Sequence, residues 1–277
     1  MSDPVDDIEA VALAAARAGG AELRRRFRNG DAAGEYDDHD VKAVADRAAE
    51  GGMLPVVRQA FPDHAVFAEE AGEFDGARYR WIIDPLDGTN NFTAGLPTFA
   101  TSVAVVEADG ASGDPALGGR DRGDPLLAVV HLPVTGETYV ARRGDGVRYD
   151  GERVTADSDL ALATATVGLI TGRRVPRDPD RSDAAEAIRD AVDARAKRVV
   201  RSWAPTVHSG LFARGRVQGL VQFFPDEEEQ AVTELLAAEA GAAVRRDGPL
   251  YVAATDEAKL DGIWTAIRDA DEEDPRL

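Results

Sequence analysis

The sequence predicts a layered α/β protein, α+β in its first half, from three observations. The opening stretch carries apolar residues at helical spacing, strand-like segments with turn signals follow, and strand and helix patterns alternate through the second half. Val5, Ile8, Ala12, Ala15, Ala16, Gly19, Leu23 and Phe27 share one helical face, and a polar loop is expected over 29–40. A second helix is expected over 46–60, then short strands at Ala65-Val66-Phe67-Ala68 and Trp81-Ile82-Ile83. Residues 99–106, 126–132 and 137–141 read as antiparallel strands. The Gly- and Asp-rich stretch 109–124 reads as a long hairpin loop, better explained as a surface insertion than as a lid. Strands are then expected at 163–170, 198–202, 217–223 and 250–253, interleaved with helices at 183–195, 205–213, 229–240 and 256–270. The acidic tail 269–274 is expected to fray.

The most informative stretch is Glu69-Glu70 followed by Trp81-Ile82-Ile83-Asp84-Pro85-Leu86-Asp87-Gly88-Thr89-Asn90-Asn91-Phe92. A proline after Asp84 cannot continue a central strand or a helix, so Asp84 and Asp87 are expected at a strand's C-terminal end, in the loop that opens a new element. Open α/β sheets bind ligands at that edge. Glu69, ending its own short strand, is placed to join them from a neighbouring strand. Carboxylate oxygens with a backbone carbonyl and water form the donor set that Mg²⁺ selects. Gly88 lets a ligand approach the backbone, and Thr89 adds a hydroxyl at a helix start, where free N–H groups attract anions. Each piece alone has an ordinary reading, since Asp-Pro and Asp-Gly are common turn formers, Glu69-Glu70 suits a solvated loop and Asp46 suits a helix N-cap. Their conjunction points to a cation beside a phosphate.

The string Asp84 to Phe92, with Ala68-Glu69-Glu70 ahead of it, resembles the signature of the inositol monophosphatase family of Mg²⁺-dependent, lithium-sensitive phosphatases, which includes archaeal fructose-1,6-bisphosphatases. Asp40-Val41-Lys42-Ala43-Val44-Ala45-Asp46 resembles the family segment ending in an aspartate that helps orient the attacking water, and Phe61-Pro62-Asp63-His64 fits the turn before the acidic strand. The resemblance runs in register over nearly the whole chain. It implies a sandwich of alternating helix and sheet layers, with an N-terminal α+β part (1–155) carrying the metal-binding loop. A C-terminal α/β part (156–277) completes one phosphatase-like unit, with the site between the two. It implies hydrolysis of a small phosphate monoester by a metal-activated water. Glu69, Asp84, the Leu86 carbonyl and Asp87 would hold Mg²⁺, two or three ions in all, with Glu229 or Asp226 completing a second ion's site. The Gly88 and Thr89 amides would hold phosphate oxygens, while Asp46, Glu69 and Thr89 orient the water. It also implies a homodimer.

The C-terminal half departs from the family pattern. Counting back from Glu239-Ala240-Gly241, the usual Trp-Asp pair falls on Glu228-Glu229, so the second-metal aspartate is replaced by Glu229. The extra methylene adds roughly 1.5 Å of reach, whereas Mg²⁺ takes its oxygens at about 2.0 to 2.1 Å. Pro205, in Trp203-Ala204-Pro205-Thr206, has no N–H where a backbone donor is usual. Gln222 stands where inositol phosphatases often carry a substrate-binding glutamate; it can still bond a hydroxyl, but without charge. The run Asp226 to Glu229 also reads simply as a charged helix N-terminus. These changes keep open an alternative from another class, a catalytically silent sugar-phosphate or metal-binding protein on the same scaffold. A nucleotide-binding reading finds neither GxxxxGK[ST] nor a GxGxxG after a strand.

Composition sets the wider limits. The 277 residues carry 51 acidic against 32 basic side chains, a net charge of −19, and the only lysines are Lys42, Lys197 and Lys259. Such a surface disfavours nucleic acid and anionic membranes as partners; the partner that the family resemblance implies is a small phosphorylated substrate. No cysteine is present, which excludes disulfides and thiolate chemistry. His39, His64, His131 and His208 have no metal-binding spacing and read as surface or satisfied core residues. No long apolar run marks a membrane span or signal peptide, so a cytoplasmic location is expected. The same negative field repels a phosphate ester, and bound metal would supply the local counter-charge. A lysine-poor acidic surface stays soluble when salt screens its self-repulsion, which suggests a halophilic protein. Its thermal midpoint is expected to rise as KCl is raised to molar levels; a midpoint that is flat or falls with KCl contradicts this.

Overall fold

Residues 4–31, 34–37, 40–107 and 123–273 are described by the computed structural model. Helix α1 (Pro4–Arg28) is followed by strands β1 (Gly34–Asp37) and β2 (Asp40–Ala43) and helix α2 (Val44–Ala60). Next come β3 (Ala65–Ala68), β4 (Gly72–Phe74), β5 (Tyr79–Asp87), the short α3 (Thr89–Thr93) and β6 (Ala100–Glu107). After the segment outside the described residues come β7 (Pro125–His131), β8 (Thr138–Arg142), β9 (Gly146–Tyr149) and β10 (Glu152–Val154). The second half holds β11 (Thr166–Thr171), α4 (Pro179–Asp193), β12 (Arg198–Val200), α5 (Pro205–Ala213) and β13 (Gly219–Phe223). It ends with α6 (Glu227–Glu239), β14 (Ala243–Asp247), β15 (Leu250–Ala254) and α7 (Glu257–Glu273).

Alternation along the strands decides the layering. In the eight-stranded sheet, ordered β10-β9-β8-β7-β6-β5-β3-β4, Trp81, Ile83, Val103, Val105 and Val129 pack under Ile8, Ala12 and Ala15 of α1 and Met53 and Val57 of α2. The residues between them, Ile82, Ala104, Ala128, Val130 and Tyr139, face the opposite way and pack on Val207 and Phe212 of α5 and Val232, Leu235 and Leu236 of α6. That same helix pair covers Ile170, Leu220, Tyr251 and Ala253 of the five-stranded sheet, ordered β12-β11-β13-β15-β14. The far face of this second sheet, including Leu169, Val221 and Val252, is closed by Ala184 and Ile188 of α4 and Leu260 and Ile263 of α7. Five layers result, helix, sheet, helix, sheet, helix, in agreement with the layered α/β expectation. Gly19 lets α1 and α2 approach closely, since a Cβ there would lie 2.5 Å from the Met53 sulfur.

Several local expectations need correction. The 29–40 loop contains β1, which pairs antiparallel with β2 as a separate two-stranded sheet. Strand β5 does not stop at the Asp84-Pro85 step but runs to Asp87, and its register against β6 shifts between Asp84 and Asp87. A bulge tolerates proline because the ladder is already interrupted there. Strands β4, β9, β10 and β14 are additions; they are short, and β10 and β14 are largely exposed, so they show little apolar alternation. Helix α7 is longer than the expected 256–270, its backbone running to Glu273. Most of the 109–124 loop, and His39, lie outside the described residues. Of the other histidines, His64 accepts the Trp81 indole N–H at 3.0 Å and His131 Nδ1 meets the Thr138 hydroxyl at 3.0 Å.

Beneath the Asp84–Asn91 segment lies an aromatic cluster: Phe92 and Phe99 are fully buried, their ring centroids 5.2 Å apart, with Phe27 closing the group and Leu86 packed against it. This cluster anchors the acidic loop from below. Truncating a buried phenylalanine costs about 3 to 5 kcal/mol, so Phe92→Ala is expected to lower unfolding free energy by that order in urea titrations. A change under about 1 kcal/mol would mean that the loop does not depend on this anchor.

Candidate active site

Register brings the acids together. β3 and β5 are parallel with Ala68 opposite Ile83, so Glu69 and Asp84 follow each other at adjacent strand ends, on the edge of the first sheet that faces the second. A cavity of about 330 Å³ opens there, and its lining includes Asp46, Glu69, Asp84, Leu86, Asp87, Gly88, Thr89 and Glu229. Gly88 makes the turn out of β5 with φ of 96°, and a Cβ there would meet the Ala204 Cβ at 3.0 Å and the Thr98 and Trp203 carbonyl oxygens at 3.2 Å. Both backbone angle and space therefore require glycine. Thr89 Oγ1 lies 3.1 Å from Asp46 Oδ1 and 3.1 Å from the Leu86 carbonyl oxygen, so its single proton is shared between two acceptors.

Asp84 and Asp87 are both buried, at 5 % and 4 % exposure, and both take their hydrogen bonds from neutral donors. Asp84 accepts the Leu86 N–H at 3.0 Å. Asp87 accepts the Thr206 N–H at 3.1 Å and the Thr206 hydroxyl at 2.6 Å. Pro205 fills the first turn of α5, where its missing N–H leaves no gap in the helix, and the next residue supplies the donors. Burial pushes Asp87 up to about 7 against the pull of the Thr206 donors, with the charge of Glu69 adding to the rise. Burial, then Glu69 and Asp87, holds Asp84 well above the ordinary carboxylate range. Carboxylates this costly to ionise lack positive charge. The all-oxygen donor set of Asp84, Asp87 and the Leu86 carbonyl fits a hard divalent cation.

The acids are not, however, a ready-made cage. Among the described residues no three acidic or histidine side chains are grouped closely enough to hold a metal as they stand. Glu69 lines the cavity, but its carboxylate pairs with Arg173, whereas the expectation is that it joins Asp84 and Asp87 in holding metal. Arg173 also bonds Asp226 at 3.2 Å through Nε and Glu228 at 2.7 Å through Nη2. Burial pushes Glu228 up to about 7, with Arg173 opposing the rise. Glu229 lines the cavity, but its carboxylate accepts the Asp226 N–H at 3.2 Å, folding back onto the first turn of its own helix. Burial and then the charges of Asp226, Glu228 and Asp87 raise its pKa well above the ordinary value.

Asp226, the alternative second-site ligand, pairs with Arg173. Gln222 does not reach the cavity: it is fully buried, opposite Ile170 and Tyr251 on the sheet face that packs against α5 and α6. Sequence reasoning missed Arg173, which follows Thr171-Gly172 at the end of β11, the same kind of strand edge that located Asp84. It also missed Glu50, a buried helix residue whose carboxylate accepts the Glu70 N–H at 2.7 Å and so fixes the turn carrying Glu69. Arg201, Ser202 and Trp203 complete the rim, with Trp203 60 % exposed. Ser202 Oγ lies 2.9 Å from the ring Nε2 of the buried His208.

Comparisons with known proteins agree with this architecture. Nus factor SuhB from Pseudomonas aeruginosa is 32% identical over 240 residues, covering 84% of this chain and 83% of that protein. The structure of extragenic suppressor protein suhB from Bartonella henselae superposes with a TM-score of 0.80 at 23% identity, over 94% of this chain and 98% of that one. Inositol monophosphatase from Anabaena (Nostoc) sp. PCC 7120 gives a TM-score of 0.78 at 22% identity, over 96% and 97% of the two chains. The sequence model of the inositol monophosphatase family matches residues 5–246. With the match running from the first helix through the first sheet and into β14 of the second, the chain belongs to the inositol monophosphatase family.

Proposed function

We propose that the protein hydrolyses a small phosphate monoester, an inositol phosphate, sugar phosphate or similar ester, with Mg²⁺ as its cofactor. The observation that carries this reading is the pair of buried carboxylates, Asp84 and Asp87, set beside the Leu86 carbonyl and the Gly88-Thr89 turn in one cavity. Asp84, the Leu86 carbonyl and Asp87 would hold the metal, with Glu69 and Glu229 joining once they leave their present partners. A bound divalent ion polarises a phosphoryl oxygen and makes water a stronger acid.

The chain supplies the remaining steps. The Gly88 and Thr89 amides bind phosphate oxygens at the turn. Thr89 Oγ1 accepts a hydrogen bond from the attacking water while donating its own to Asp46 Oδ1, 3.1 Å away, so that water is polarised through the hydroxyl by a buried carboxylate. Thr206 holds Asp87 in place from the first turn of α5, and Glu50 holds the Glu69-Glu70 turn. Trp203 and Arg201 line the outer part of the cavity, where the alcohol portion of the ester would lie. Gln222 is given no substrate contact, being sealed below the site. A net charge of −19 works against a polyanionic partner such as nucleic acid.

The second reading, a catalytically silent family member that binds a sugar phosphate or a metal, draws on two observations: Glu69 is paired with Arg173, and Glu229 caps its own helix. Phosphate release from a panel of esters, with and without Mg²⁺ in molar KCl, separates the two. Mg²⁺-dependent release by the wild type is expected; none from any ester supports the silent reading. Even outer-shell partners of a metal site cost 10- to 100-fold when lost, so Asp84→Asn is expected to reduce release at least about 100-fold. Substantial Mg²⁺-dependent turnover in that variant would refute the assignment.

A further inference from the structure

Arg173 makes its three side-chain ion pairs with three different carboxylates. Nε faces Asp226, Nη1 faces Glu69 and Nη2 faces Glu228. A guanidinium recognising a single carboxylate presents two parallel N–H groups to it; here the donors fan outward and each meets its own acid. The three acids come from two places in the fold, Glu69 just past the end of β3 in the first sheet, Asp226 and Glu228 at the start of α6 beyond β13 in the second. Arg173 itself lies two residues past the end of β11 and is tied to Asp226 a second time through its backbone N–H, at 2.8 Å. The preceding Gly172 donates to the Phe224 carbonyl at 3.1 Å, and Phe224 adopts φ of 47°, a costly conformation for an aromatic residue. The backbone thus fixes the root of Arg173 beside the cavity, and three acids from both halves close on its tip.

This is the arrangement of ligands round a cation, with a guanidinium in place of an ion. Resting on the metal-dependent reading above, we infer that Arg173 is a built-in cation of the site, which supplies a single positive charge at the position of one divalent ion and competes with entering metal for Glu69. Asp226 and Glu228 then belong to the arginine, leaving Asp84, the Leu86 carbonyl, Asp87 and Glu229 for metal. Occupancy by metal requires Glu69 to exchange a guanidinium for an ion. The metal-free site is stabilised by an internal charge, and the number of divalent ions per chain falls by one relative to a site without the arginine.

The test is Mn²⁺ binding to the full chain in molar KCl, followed by calorimetry and by the spin-resonance signal of free Mn²⁺, together with thermal midpoints in EDTA. Wild type is compared with Arg173→Gln, which removes the charge, and Arg173→Lys, which keeps a charge but cannot reach three acids. Arg173→Gln is expected to have a lower midpoint in EDTA, to bind Mn²⁺ at least tenfold more tightly or take up one further ion per chain, and to gain more midpoint from Mn²⁺ than wild type does. Arg173→Lys is expected to fall between the two. If Arg173→Gln is recovered only with metal present, the comparison of wild type with Arg173→Lys decides. Equal Mn²⁺ affinity and stoichiometry across the recovered proteins overturns the inference. The two readings fail separately: the ranking without any ester hydrolysis sinks the phosphatase reading alone, and an active phosphatase with a flat ranking sinks only the role given to Arg173.

Discussion

Carboxylates repel one another, and in a cleft walled by packed side chains water cannot screen that repulsion. The end of β5 places Asp84 and Asp87 in such a cleft, with Glu69 on the neighbouring strand and Glu228 and Glu229 on the facing helix. Nothing about the packing of the five layers relieves this. Relief comes from local devices: Thr206 donates twice to Asp87, Leu86 turns its N–H to Asp84, and Arg173 spans Glu69, Asp226 and Glu228. Even so, burial raises Asp84 and Asp87 out of the usual carboxylate range. The site is short of positive charge in the places where a divalent ion would supply it.

The layered architecture is what brings these acids face to face. The first sheet presents the ends of β3 and β5 and the second presents the ends of β11 and β13, with α5 and α6 packed between the sheets. A helix layer shared by two sheets lets the starts of both helices open toward the first sheet's acids. Thr206 in the first turn of α5 reaches Asp87, and Glu228 and Glu229 in the first turn of α6 reach the cavity, for this reason. The Arg173 bridge crosses the same gap. The two sheets are joined by the apolar α5 and α6 layer, and the Arg173 ion pairs add a polar bridge at the site.

The parts legible in the sequence were those whose signal is local. Asp84, Asp87, Gly88 and Thr89 lie within six consecutive residues, and the proline, the glycine and the spacing of the acids each carry a conformational meaning. The amphipathic helices and apolar strands were legible through their periods, and α1 and α5 emerged close to their expected bounds. What escaped depends on pairing across the fold. Arg173 is 104 residues from Glu69 and 55 from Glu228, and no spacing along the chain announces their meeting. Gln222 misled because matching its position to a pattern does not reveal which face of β13 it occupies; alternation with Leu220 turns it to the helix layer. β5 outlasted its proline because a bulge removes the need for the missing N–H.

Crystals grown in molar KCl and soaked with Mn²⁺, with data collected at a wavelength where manganese scatters anomalously, test the central claim most directly. The account predicts an anomalous peak in the cavity within bonding distance of Asp84, the Leu86 carbonyl and Asp87, with Glu69 turned from Arg173 toward it. A cavity without a peak under saturating Mn²⁺, and Glu69 still paired to Arg173, would contradict it.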